Sequence, residues 1–397
     1  MITWRAGTVV SLGPSWPGSI ELTVRLEDGT ELRALAHPEL VGLPVPGARV
    51  LLNVSAQVRG LGTGGYALVV ALPDALPADP PAGPGHLVKA RYTPLQAMVL
   101  GVDEQESEHH ATLRDADDLA GMPVVVADLH SALPAVLAGA RAAASAAGRP
   151  APRAVYVMTD GGALPAWFSR TVAGLRAAGW LEACITVGQA FGGDLEAVTV
   201  HSGLLAARLV VGADLVVVAQ GPGNLGTGTR WGFSGVAAGE ALNAVGTLGG
   251  RPVASLRVSG ADPRDRHRGV SHHSTTAYGR VALVPADLVV PVADPTDAPG
   301  APTAPTEAGP GASAASDGEP AEIYPGRAAF LAKVHEQARA LCAPGGHRLV
   351  EVAAGLPLLA ALTTSPVRLT TMGRGLDADP EAFLAAAAAG VHAAGLC

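Results

Sequence analysis

The sequence predicts an α/β fold: an open, mostly parallel sheet with helices on both faces, preceded by a small N-terminal β-barrel. Three observations carry this. From Met122 onward, short apolar runs alternate with helical stretches, which is how a parallel sheet covered on both faces reads. Residues 1–72 instead show short segments of strict alternation, the mark of half-buried antiparallel strands. Between them, PDALPADPPAGPG at 73–85 is a proline-rich linker, extended and semi-rigid.

In the first segment, Ile20, Leu22, Val24 and Leu26 alternate with Glu21, Thr23, Arg25 and Glu27. Glu27-Asp28-Gly29-Thr30 is a hairpin turn, with Leu32, Ala34 and Ala36 on the return strand. Further strands are expected at Val50–Val54 after Pro46-Gly47, and at Tyr66–Leu72 after Gly64-Gly65. About five strands in such a length predict a barrel of SH3-like or OB-like type.

A strand region follows at 87–102 and an acidic irregular stretch at 103–120. Strands are then expected at 123–127, 154–158, 183–187, 215–218, 253–258 and 288–290. The helices between them include an alanine-rich one over 132–147 and one over about 194–210. Phe168, Val172 and Leu175 form a core-facing stripe on a helix between these two. The α/β core thus spans 86–292. Residues 293–323, rich in Pro, Ala, Thr, Gly and Ser, read as a disordered insertion. Residues 324–397 complete the domain with a helix at 326–342, a strand at 348–352, and helical segments ending at 381–394.

Bulk properties narrow the function classes. A net charge of −8, with Lys89 and Lys333 the only lysines, argues against nucleic acid or an anionic membrane as partner, since both need a basic surface. The barrel segment balances five arginines with five acidic residues and has only Trp4, Trp16 and Tyr66 as rings, so it is expected to serve structure or self-association. No apolar run approaches the roughly 20 residues of a membrane span. The opening MITWRAGTVV lacks signal-peptide design. Cys184, Cys342 and Cys397 are far apart and odd in number, which fits a reducing cytoplasm better than a disulfide framework. A homo-oligomer is the expected state.

Ligands of open α/β sheets bind outside the carboxyl ends of the strands, so those ends hold the candidate residues. Asp128 and His130 follow the first strand and would point the same way if it stays extended. Asp160 precedes Gly161-Gly162 after the second; it is equally a helix-entry Asx turn. The fourth runs into GPGNLGTGTRWGFSG, where Gly221, Gly223, Asn224, Gly226, Thr227 and Thr229 offer backbone N–H and hydroxyl groups to an anion. This loop is a poor dinucleotide fingerprint, because Pro222 removes a donor and no helix follows directly. Its glycines equally suit a tight structural crossover. The fifth strand leads into RDRHRGVSHHS, with three arginines and three histidines between Arg264 and His273. Arg266 and Arg268 are anion-holding candidates. His272 is an acid–base candidate, and a solvated basic loop is the plainer alternative. Adjacent histidines seldom both ligate one ion, so the metal candidates are Asp128, His130 and His273, with a divalent cation as the expected cofactor class. His201 shares a helical face with Val198 and Leu205 and reads as a core histidine. Cys184, inside a buried strand, is a poor nucleophile.

Taken together, MITWRAGTVV, LLNVSAQVRGLGTGGYALVVA, GHLVKARYTPLQ, GPGNLGTGTRWGFSG and ADPRDRHRGVSHHSTTAYGRV resemble a bacterial family catalogued as domain of unknown function 3866. The resemblance spans nearly the whole chain except 293–323. It implies one shared architecture for the β module and the α/β part, and no activity, ligand or catalytic residue. The expectation from the residues is an enzyme acting on a small anionic substrate, phosphorylated compounds included, with Asp128, His130, Asp160 and His272 in acid–base or ligand roles. The alternatives are a regulatory protein that binds a nucleotide or metabolite, and an assembly protein that uses its barrel.

Overall fold

The structure, a computed structural model, describes residues 1–62, 64–294, 324 and 326–397. The insertion expected at 293–323 falls, from residue 295 on, outside the described residues.

Strands β1 (Trp4–Trp16), β2 (Ser19–Leu26), β3 (Glu31–Ala36), β4 (Arg49–Asn53) and β5 (Ala67–Ala71) close a barrel in the order β1-β2-β3-β5-β4. The β3–β5 pair is parallel and the other pairs are antiparallel, which is the OB-type closure of the two expected. Alternation drives it: Leu22, Val24, Ala34, Val50, Leu52 and Val69 fill the interior. The hairpin turn falls where Asp28-Gly29 predicts it. The Thr30 N–H donates to Asp28 Oδ1 at 2.9 Å, and Gly29 takes φ +84°, which a side chain would resist.

The second element is an all-parallel sheet. Its strands are β6 (Pro123–Val126), β7 (Ala154–Thr159), β8 (Ala183–Thr186), β9 (Leu195–Glu196), β10 (Leu215–Gln220), β11 (Arg251–Ser255), β12 (Asp287–Val292) and β13 (Arg348–Ala353). They lie in the order β9-β8-β7-β10-β6-β11-β12-β13. Val124, Val125 and Val126 are all fully buried, so both faces of β6 are covered. The helices of this part are α1 (Leu133–Ala146), α2 (Arg170–Ala177), α3 (Val200–Ala206), α4 (Ala237–Thr247), α5 (His272–Thr276), α6 (Arg327–Gly345), α7 (Leu356–Thr363) and α8 (Pro380–Ala394).

Three local expectations change. Phe168 sits in a short turn ahead of α2, which starts at Arg170 because Ser169 Oγ caps the Val172 N–H at 3.0 Å. The stretch at 194–210 is not one helix: Leu195–Glu196 forms β9, and α3 begins only after the Thr199–Ser202 capping box. His201 is exposed, and so is Val198, while Leu205 one turn further on is buried, so His201 is not a core residue.

The chain divides into two compact units. One comprises residues 1–117, 155–212 and 220–225; the other comprises 118–154, 213–219 and 226–397. In the first, the barrel is tied to the segment before α2. Trp16 Nε1–H and the Ser19 hydroxyl both donate to the Trp167 carbonyl at 2.7 Å. Glu21 of the barrel pairs with Arg170 and accepts from the Tyr66 hydroxyl. In the second unit, α1 and α8 meet backbone to backbone. A Cβ at Gly139 would stand 2.0 Å from the Ala387 carbonyl oxygen, and one at Gly390 would stand 1.9 Å from that of Val136. This explains why the two helices consist so largely of alanine and glycine.

Candidate functional site

The chemistry-bearing residues converge in the second unit, past the ends of the paired strands β6 and β11. The chain leaves β6 toward β7 on one side of the sheet and leaves β11 toward β12 on the other. Their carboxyl ends therefore flank a topological switch point, where such sheets open a crevice. The buried Tyr278 hydroxyl lies 2.9 Å from the Val126 carbonyl and 3.1 Å from that of Ser255, fixing the two strand ends together.

Past β11 the chain folds back on itself. Val258–Ser259 pairs antiparallel with Gly269–Val270, and the Ser271 N–H donates to the Arg257 carbonyl at 2.8 Å. The loop inside this ribbon is pinned by Asp262, which accepts from both Arg264 and Arg374. Its hydrogen bond with Arg264 holds the Asp262 carboxyl far below its usual range. The fold-back carries His267 onto the start of α5. There Ser271 is the N-cap, with its Oγ 3.2 Å from the His273 N–H and 2.7 Å from His267 Nδ1.

Three imidazoles result. His267 and His272 ring centroids are 4.9 Å apart, His272 and His273 are 4.5 Å apart, and His267 and His273 are 5.0 Å apart. One nitrogen from each lies within 4.8 Å of the others. Phe233 stacks on His273 at 3.8 Å with the planes 4° apart, giving that ring an apolar backing. Asp128 is 3% exposed, its Oδ2 standing 3.1 Å from His273 Nδ1. Arg257 approaches the same atom, with NH1 2.9 Å from Nδ1 and 3.5 Å from Asp128 Oδ2. The carboxylate can only accept and the guanidinium can only donate, so Nδ1 faces one of each. His272 Nε2 is buried with no hydrogen-bond partner among the described residues. Burial, reinforced by the cations Arg257 and Arg264, pushes His267 down to about 3; burial, reinforced by His273 and Arg266, pushes His272 down to about 4. Both rings are neutral at pH 7.

The His272 ring is also in the wall of a cleft of ≈ 570 Å³. Arg230, Arg266 and Arg280 line it, with Thr275 and Thr276 of α5 and Leu341 and Pro344 of α6. None of the three arginines has an acidic partner among the described residues. On the far side of Asp128, a cavity of ≈ 30 Å³ between Ser131, Arg257, Thr371 and Arg374 has room for about one water.

A model of the family described as protein of unknown function (DUF3866) matches residues 33–390. The chain belongs to that family. No curated protein and no solved structure matches it. The family description assigns no chemistry, so the site rests on its own geometry.

Of the residues singled out in the sequence, Asp128, His272, His273 and Arg266 meet around this centre. His130 lies in the short turn that follows, with its pKa pushed by burial to about 4, and it is not one of the three grouped imidazoles. Arg268 is exposed and is not part of the cleft wall. Asp160 belongs to the other unit, where its Oδ2 accepts from the Gln189 N–H at 2.8 Å. Gly221, Gly223 and Asn224 also belong there; Asn224 Oδ1 accepts from the Gln220 side chain at 3.2 Å. A Cβ at Gly162 would stand 2.1 Å from the Gly221 carbonyl oxygen, so glycine there permits backbone contact. From Gly226 on, the loop is a small hairpin in the second unit. Gly226 bridges Phe233, and the Thr227 and Thr229 hydroxyls bond each other at 3.1 Å and the backbone of Gly232. Its task in this geometry is to deliver Phe233 to the histidines. Gly235 completes it, since a Cβ there would lie 2.9 Å from Asp128 Cβ.

Arg257, Phe233, Arg230 and Arg280 are not among the sequence candidates, and His267 and Ser271 are there only as members of the polar run at 264–274. The Ser before His-His was a legible N-cap signal. Nothing in the one-dimensional pattern announced the fold-back that brings His267 to it.

Proposed function

We propose that this protein is an enzyme acting on a small anionic substrate, with a phosphorylated compound the best fit. The observation that carries this reading is the cleft lined by three arginines that lack acidic partners among the described residues and by His272 of the histidine cluster. Guanidinium groups match the oxygens of phosphate with paired N–H donors, and such a cleft concentrates anions even on a chain of net charge −8. Its volume is that of a small-molecule site rather than a macromolecular groove. Arg230, Arg266 and Arg280 bind the anion. His272 lines the same cleft, and Asp128 bonds His273 of the same histidine cluster.

Thermal shift of the full chain with sugar phosphates, pyrophosphate and the matching unphosphorylated sugars tests this. Binding at a hundred times Kd stabilises by about 2.7 kcal/mol, a readily measured rise in Tm. Phosphorylated ligands alone should give it, and R266A/R280A should lose it. An equal response to neutral sugars, or an undiminished one in the double variant, overturns the reading. Turnover of a stabilising ligand separates an enzyme from a sensor that binds through the same cleft.

A further inference from the structure

We propose that His267, His272 and His273 form a binding site for one divalent transition-metal ion, zinc being the best chemical fit, with a coordination position left open. The proposal goes beyond the anion-binding reading and does not depend on what occupies the arginine cleft.

Three independent features point to a metal. First, the three nitrogens lie within 4.8 Å of one another without any hydrogen bond between the rings being recorded. Second, two of the rings are oriented from behind as metal-bound histidines are: Nδ1 of His273 by the Asp128 carboxylate, and Nδ1 of His267 by Ser271 Oγ. With Nδ1 of both rings turned to these partners, Nε2 is the nitrogen left to ligate an ion. Third, His272 Nε2 is buried without a partner among the described residues, and a buried polar atom left so requires an explanation. A metal ion satisfies it, where a fourth protein group does not.

The donor set selects the ion. Three imidazoles, with no thiolate and no carboxylate in direct contact, suit zinc and its neighbours rather than magnesium or calcium, which want oxygen. Three protein ligands are the number found at zinc sites that keep a place for water or substrate; structural sites use four. Tetrahedral bonds of about 2.0–2.1 Å place ligand nitrogens about 3.3 Å apart. The rings therefore close on the ion by about an ångström on loading. Asp128 supplies the negative charge that offsets Arg257, so the loaded centre stays cationic and is complementary to an anion.

The test uses the full chain freed of metal by chelation, titrated calorimetrically with zinc in phosphate-free buffer. Cobalt(II) is added in a parallel experiment for its visible spectrum. The expected result is one ion per chain, with cobalt bands of tetrahedral or five-coordinate intensity. Affinity should fall by at least about 100-fold in H267A and in H272A. It should fall about 10- to 100-fold in D128N, whose role is to orient a ligand. Zinc binding should persist in R266A/R280A, so its loss and the loss of the anion site are read separately. Wild-type protein that takes up no zinc or cobalt, or H272A and H267A that bind as wild type does, would overturn the proposal. Wild-type stoichiometry is decisive even if a histidine variant fails to fold.

Discussion

Two buried polar clusters, one in each unit, differ in how completely they are satisfied. In the first unit Lys89 is buried at 3% side-chain exposure. Its Nζ donates to the Ala190 and Ala197 carbonyls at 3.0 and 2.8 Å, and stands 3.6 Å from Glu196. Glu196 in turn accepts from the Thr186 hydroxyl at 2.7 Å and the Gly192 N–H at 2.6 Å. The charged groups face each other or neighbouring carbonyl, hydroxyl and N–H groups, and the network closes on itself. In the second unit the histidines are oriented from behind by Asp128 and Ser271, while the nitrogens on the inner side converge on one another. A closed network holds a fold in one arrangement; a cluster satisfied on one side only is arranged for something that the chain does not itself supply. On the proposals above, Lys89 holds the fold while His272 serves the site.

The contrast breaks first at Lys89. K89M leaves the Glu196 carboxylate and two carbonyls buried without their cation, and should destabilise by about 3–5 kcal/mol in urea denaturation. Burial already raises the Glu196 carboxyl above its ordinary value, and removing the ammonium raises it further. A loss under about 1 kcal/mol would mean that the network is dispensable. Next is G235A, whose Cβ would meet Asp128 Cβ at 2.9 Å. Neither group is the end of a flexible side chain, so the backbone must shift, at a cost of about 1–3 kcal/mol. The same shift displaces Asp128 from His273, so zinc affinity should drop along with stability. A variant that loses stability and keeps full zinc affinity would separate the loop from the site.

The pH dependence is smaller per unit of acidification and has a defined sign. His267 and His272 have folded values of about 3 and about 4, below the ordinary 6.5. The unfolded chain therefore binds protons that the folded one refuses. The stability is fully present above about 6.5 and is lost as pH falls from there through about 4 and then 3. Denaturation midpoints recorded over this window should slope downward with acid, and the slope should lessen in a variant with both histidines replaced by asparagine. An unchanged slope would show that these rings are not held neutral by the fold.

How much of this was legible follows from what each signal depends on. The barrel and the parallel strands announced themselves, because a two-residue alternation and unbroken apolar runs are local patterns fixed by burial of one face or both. Asp128, His272, His273 and Arg266 were legible for a second local reason: they lie just past strand ends. His267 was not, because it joins the site only through the two-residue ribbon Val258–Ser259 with Gly269–Val270, too short to leave a periodicity. Ser271 starts a helix there, and the His272 and His273 ring centroids still come within 4.5 Å, although only His273 is buried. Arg230, Arg266 and Arg280 sit on three separate segments and become one cleft only in the folded unit.

The smallest expected effect is the one that sharpens the contrast most. H272L removes a buried ring nitrogen that has no partner among the described residues, and replaces it with apolar volume of similar size. Two terms oppose each other. The ring packs edge-on against Phe233 at 5.7 Å, and that contact weakens. Against it, relief of an unsatisfied buried nitrogen is worth about 1–3 kcal/mol. The balance for the metal-free protein should fall within about 0.5 kcal/mol of zero or on the stabilising side, as is common where a site is kept for function at the expense of stability. Adding zinc should then raise the Tm of the wild-type protein and leave that of H272L where it was, since an ion stabilises only the state it binds. If H272L instead loses as much as K89M without metal, His272 belongs with Lys89 among the residues that hold the fold, and the division between the two clusters fails.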